Sequence, residues 1–203
     1  MPTETEVVNS ALALLADRRI TSLDDGTDLA TKCRMRYEID RDAVLEAHEW
    51  NFADVRATLV LSARTPAYEW RKQYPLPTSP KCLAVRETSL DQANSAQFPS
   101  VAGQLWTLGM DVVDGRILLC NADSMAIRYT AQVTDLLLWS SLALAALSYL
   151  LASDLAKEVT GNLEDQQIYA KHFQATMAMA VTSDARQASP VRLRASTLLT
   201  RGR

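Results

Sequence analysis

The sequence predicts an α+β fold: an antiparallel helical bundle built from N- and C-terminal helices, an inserted antiparallel β lobe and an extended C-terminal tail. Three observations lead there. Apolar residues recur with helical spacing over residues 1–50 and again over 134–186, and alternate over 51–133. Residues 136–153 (LLLWSSLALAALSYLLAS) hold no charge. Beyond Asp184 there is no acid, while Arg186, Arg192, Arg194, Arg201 and Arg203 follow, so residues 187–203 form a basic tail.

Taken in order, residues 3–19 form a first helix, with Thr3 and Glu6 in capping-box spacing and Val8, Ala11, Leu12 and Leu15 on one face. TSLDDGTD is a turn. Thr27 or Asp28 caps a second helix to about Glu49, with Ala30, Cys33, Tyr37 and Val44 on a common stripe. Strands are expected at 53–63, where Val55, Ala57, Leu59 and Leu61 alternate with Arg56, Thr58, Val60 and Ser62, at 70–76 before Pro77 and Pro80, and at 82–88. A fourth spans 105–113, and Asp114-Gly115 signals a two-residue hairpin into RILLCN, the fifth. A sixth covers 125–133. Residues 89–103, polar and weakly patterned, make a loop long enough to have a task.

Asp135 is the expected cap of the long apolar helix, which Gly161 ends; Asn162 caps the last helix to about Arg186, with Tyr169, Ala170, Phe173, Met177, Ala180 and Val181 on one side. A helix over 136–153 would be roughly 27 Å long, close to the ~30 Å hydrocarbon thickness of a bilayer. No Lys/Arg asymmetry flanks it, however, and its pattern runs on through charged residues, so a helix buried in protein is expected and no membrane span. Ser141, Ala145, Ser148 and Ala152 line one face and let another helix backbone come close. With Trp139 and Tyr149 they are the expected packing residues, within the bundle or between subunits.

Composition narrows the function classes. With 48% hydrophobic and 22% charged residues over 203, the chain can bury an ordinary globular core. MPTETEVVNS has acids where an export signal would have bases, and Cys33, Cys82 and Cys120, odd in number and far apart, read as buried thiols of a reducing compartment. The net charge of −3 conceals a more acidic body offset by the basic tail.

Catalytic and ligand-binding patterns are missing. There is no GxSxG, HExxH, P-loop or GxGxxG. His48 and His172 lie on different helices without ligand spacing; His48 reads as a packing or capping residue and His172 as a solvated one. Asp24, Asp25 and Asp28 crowd a turn without the EF-hand pattern and read as turn and cap residues. Trp50, Trp70, Trp106 and Trp139 are scattered rather than set out as a stacking platform. No catalytic residue, metal site or cofactor is expected, and the absence of chemistry points to assembly.

Ile20, Ser22, Leu23, Asp24 and Asp25, followed by Ala30, Cys33, Tyr37, Arg41, Asp42, Leu45, His48, Trp50, Phe52 and Ala53, match a pattern of spaced residues. On them the chain resembles phage tail tubular protein A, the head-to-tail adaptor family of short-tailed phages. A second block, Trp70, Tyr74, Leu76, Pro77, Cys82, Leu83 and Val85, is similar to that family's W-x-x-x-Y-x-L-P-x-D-C-L-x-V, except that TSPK lengthens the turn and removes its acid. A third echo is Tyr129 with Val133-Thr134-Asp135. The resemblance covers roughly residues 7–185.

It implies a virion structural protein without catalysis, located at the head–tail interface. Its partners would be the portal protein, the tail nozzle or tail tube protein, and further copies of itself in a ring, commonly a dodecamer, around a DNA channel with no sequence-specific contact. In that setting Arg192, Leu193, Arg194, Leu198, Leu199, Arg201 and Arg203 are the expected portal-binding residues, a free solvated end being the plainer alternative. The loop at 89–103 would touch the nozzle or a neighbouring subunit. A DNA-binding helical protein acting through its basic tail is the second reading, and an enzyme with a pocket of no known motif the third.

Overall fold

The computed structural model describes residues 2–16, 18–91, 101 and 103–187. They form four α-helices and two three-stranded antiparallel sheets, a mixed α+β fold. In α1 (Glu4–Leu14) the capping box is made in both directions: the Thr3 N–H donates to Glu6 Oε2 at 2.9 Å and the Glu6 N–H to Thr3 Oγ1 at 3.2 Å. This helix stops at Leu14, short of the Arg19 that its polar spacing suggested. Ala16 turns at φ +56°, and Asn9 then holds Ile20 with both ends of its amide, drawing the chain back along the helix.

Asp25 closes the next turn by accepting from the N–H groups of Thr21 and Ser22, and Thr27 caps α2 (Asp28–Glu46) by accepting from Ala30. Ala30, Cys33, Tyr37 and Val44 are buried as expected. Trp50, wholly buried, follows α2 and donates its indole N–H to the Val44 carbonyl at 2.8 Å, satisfying one of the acceptors that a helix end leaves open. A 3₁₀ turn (Asn51–Ala53) leads into the strands.

The first sheet has the order β1-β6-β3, from β1 (Asp54–Leu59), β3 (Cys82–Thr88) and β6 (Met125–Ala131), with Asp54 opposite Thr130 and Cys82 opposite Ala131. The second, β2-β5-β4, joins β2 (Lys72–Pro75), β4 (Trp106–Asp111) and β5 (Gly115–Cys120). Asp111 pairs with Gly115, so the β4–β5 loop has three residues and not the two that Asp114-Gly115 suggested. Asp111 Oδ1 accepts from the N–H groups of Val113 and Asp114, and Gly115 occupies the left-handed region at φ +71°, the geometry of a three-residue hairpin. One core binds both sheets: Leu59, Tyr74, Cys82, Leu118, Cys120, Met125, Ile127 and Tyr129. Arg116 ties them further by donating to the carbonyls of Cys82 and Leu83.

The apolar run does not make one helix from Leu136. Asp135 caps only a 3₁₀ turn (Leu136–Leu138), the chain straightens at Trp139, and Ser140 caps α3 (Ser141–Val159) by accepting from Ala143. The break lets Leu136 and Trp139 both sink into the helical core, where the Trp139 indole N–H donates to the Val133 carbonyl. Among the described residues no helix is long and apolar enough to cross a membrane. Gly161 at φ +69° turns the chain, and Asn162 caps α4 (Leu163–Ala185). Each of α1, α2 and α4 packs mainly on α3, and α2 also meets β3 and β6. Their shared core runs from Val8 and Leu12 through Cys33, Tyr37 and Leu45 to Leu147, Leu151 and Leu155.

Candidate interaction surfaces

The helices and the first sheet are joined by polar contacts that sequence spacing does not reveal. Arg86 of β3 donates to Thr130 Oγ1 and to the carbonyls of Glu46, the last residue of α2, and of His48 just beyond it. Gln132 donates to Asp42 at 2.8 Å, and Arg128 faces Glu49, Asp54 and Glu87 together. His48 meets Trp50 edge-on at 4.9 Å, Trp50 stacks on Phe52 at 5.5 Å, and Phe52 lies 5.3 Å from Trp139. His48 is thus a packing residue, as its spacing suggested. His172 is exposed but not free in solution, stacking on Tyr149 at 5.4 Å. Where the second block departs from the family pattern, TSPK closes a tight turn: Thr78 and Lys81 pair, and the Cys82 N–H donates to the Pro77 carbonyl.

The residues expected to pack on a neighbouring helix fall into three groups. Trp139 and Ala152 are in the helical core. Ala145, Ser148 and Tyr149 are half-buried and line a groove of about 380 Å³ between α1 and α3, whose other wall is Pro2, Glu6, Val7, Ser10 and Leu14. Ser148 turns its hydroxyl back to the Leu144 carbonyl, leaving an apolar floor. Ser141 is exposed at the first turn of α3.

A second groove of about 500 Å³ lies between the start of α3 and the end of α4, lined by Leu142, Ala178, Met179, Thr182, Ser183 and Arg186. It borders the point where the chain leaves α4 toward the tail. That point is fixed: Asp184, buried, accepts from the Asn51 N–H and lies 3.3 Å from His48 Nε2. The tail residues Arg192, Leu193, Arg194, Leu198, Leu199, Arg201 and Arg203 lie outside the described residues, as does most of the loop at 89–103. The loop's two ends are held by one side chain, because Asp91 accepts from Thr88 at its start and from the Trp106 indole at its close.

Chemistry is sparse on these surfaces. Among the described residues no group of His, Cys, Asp or Glu could hold a metal ion. Asp24 points to Arg34 and Asp25 serves its turn, consistent with turn residues. The three cysteines are buried thiols that form no disulfide. One charged cluster that periodicity had not singled out sits in the α2–α3 seam: Arg36, Asp40 and Asp154. Its signal was available, since Asp40 falls in phase with Cys33, Tyr37 and Val44 on the buried stripe. No family model matches the chain, and no curated protein does.

Proposed function

We propose that this chain is a virion structural protein, a head-to-tail adaptor that closes into a ring between portal and tail nozzle, with DNA passing through the opening. The reading starts from the resemblance of residues 20–53 and 70–85 to the adaptor family. The observation that carries it in the fold is the groove between α1 and α3. Small residues at its floor, Ala145 and Ser148, admit a helix backbone, and the described part of the chain leaves it unfilled. The second groove, between α3 and α4, is a different surface. A closed ring requires two unlike surfaces that meet head to tail, and α2 adds outward apolar residues at one-turn spacing, Met35 and Ile39, 68% and 59% exposed.

In this reading residues 1–50 and 134–186 act as one antiparallel bundle, residues 51–133 as a lobe inserted into it, and residues 187–203 as an arm. The arm carries its arginines to an acidic portal surface, and the Asp184 clamp sets the direction in which it leaves. The acidic body repels DNA from the channel wall.

The test mixes the full chain with its portal and images the product by negative stain, alongside a variant lacking residues 188–203. Stoichiometric rings from the full chain, and a folded variant that does not dock, are the expected result. Normal docking of the variant would remove the arm from the account. DNA affinity that falls steeply with salt, without rings, would favour the DNA-binding reading instead.

A further inference from the structure

The α2–α3 seam holds a charged cluster that assembly does not use. Asp40 is 1% exposed. Arg36, one turn earlier, places Nε 3.0 Å from Asp40 Oδ1, while its Nη2 donates to Asp154 Oδ2 on α3. One guanidinium therefore serves two carboxyl groups. Arg36 is itself partly exposed, so it can neutralise only part of their joint charge.

Asp40 Oδ2 is buried and has no hydrogen-bond partner. A carboxylate oxygen left that way has given up its water for nothing. Arg36 Nε, 3.0 Å from Oδ1, is likewise buried without a hydrogen-bond partner. Arg41 on the same helix is turned to Asp42, the Tyr37 hydroxyl is itself buried without a partner, Glu158 on α3 adds negative charge near Arg36, and Glu4 on α1 faces Tyr37. Burial first, and then the negative charge of Asp154, push the Asp40 pKa up to about 7, with Arg36 opposing them. A proton on Oδ2 turns the orphaned acceptor into a donor and removes one of the two negative charges that Arg36 must balance.

We propose that Asp40 holds a proton in this seam, and that its loss loosens α2 from α3, making the helix contact a proton-operated latch. The direction follows from linkage. The native state binds this proton more tightly than the unfolded chain, whose Asp titrates near 3.8. The contribution is therefore fully present below that value and is lost as pH rises through about 7.

The experiment is infrared spectroscopy of the full chain in the protonated-carboxyl C=O region, with hydrogen exchange of α2 and α4 amides across the same pH range. A protonated-carboxyl band is expected at pH about 6, absent by pH about 8.5, together with exchange in α2 that accelerates several-fold beyond its intrinsic pH dependence while α4 does not follow. Asp40→Asn copies the protonated acid while keeping an oxygen for Arg36; it should fold, lack the band and lose the pH response. Asp154→Asn removes the like charge, so the band should vanish at lower pH. A spectrum without that band at pH 6, a band retained in Asp40→Asn, or the same α2 exchange profile in wild type and Asp40→Asn would overturn the proposal.

Discussion

Asn51 and Asp184, separated by 133 positions, are bound to each other through both backbone and side chain: the Asn51 N–H donates to the Asp184 carboxylate at 3.2 Å, and the Asn51 amide donates to the Asp184 carbonyl at 2.8 Å. The start of the strands is thereby fastened to the end of the last helix. Asp184→Ala removes the buried carboxylate that accepts from the Asn51 N–H and should destabilise the fold by about 1–3 kcal/mol in urea unfolding. Asp184→Asn, which keeps an acceptor, should cost less than half of that.

The break in the apolar run gives a test in which the sign decides. With Ser140 as the cap of α3, Ser140→Ala should destabilise by about 1 kcal/mol. Were a single helix to run from Leu136, the same change would sit in a helix interior, where Ala is the better residue, and the protein would gain stability. Thermal and denaturant midpoints of the single variant separate the two.

The proposed ring contact in the α1–α3 groove gives a test that separates folding from assembly. Ala145→Trp fills space that opens to solvent, so circular dichroism and the unfolding midpoint should stay near those of the wild type. Ring formation, followed by sedimentation velocity with and without portal, should be lost. Rings of normal size from this variant would move the contact elsewhere.

Burial, partly offset by Arg116 for Cys82 and by a backbone hydrogen bond with Ala122 for Cys120, pushes both thiols above the ordinary range, and Cys33 has no exposed surface. Reactivity requires a thiolate that a reagent can reach. At pH about 8 a disulfide-exchange reagent should therefore label none of the three until denaturant is added, and then all three together. Fast labelling of one native thiol would place it differently.

Local chemistry made much of this architecture readable. The Thr3–Glu6 capping box, Thr27 and Asn162 as caps, Gly161 as the stop and the alternation of β1 and β6 are each decided by neighbours within a few residues. The readings that failed involve competition between local options. Asp135 and Ser140 can both cap a helix, and what selects Ser140 is the burial of Trp139 against Phe52, a partner far away in sequence. Asn9 ends α1 early by holding Ile20, which apolar spacing does not encode. Val112 and Val113 lengthened the expected fourth strand by propensity, yet Asp111 takes the N–H groups that would have continued it. For the candidate surfaces, periodicity shows which residues share a face but not how far apart two faces stand, so Ala152 and Ala145 looked alike although one is sealed and the other lines an open groove.

Because α1 and α2 both rest chiefly on α3, which comes after all six strands in the chain, neither has its main packing partner while it is being made. The ribosome must pass Val159, and that residue must clear the exit tunnel, before the first two helices can settle. Until then the nascent segment shows its apolar faces to solvent, where a chaperone can reach them. Maturation of this protein is therefore timed from its C-terminal half.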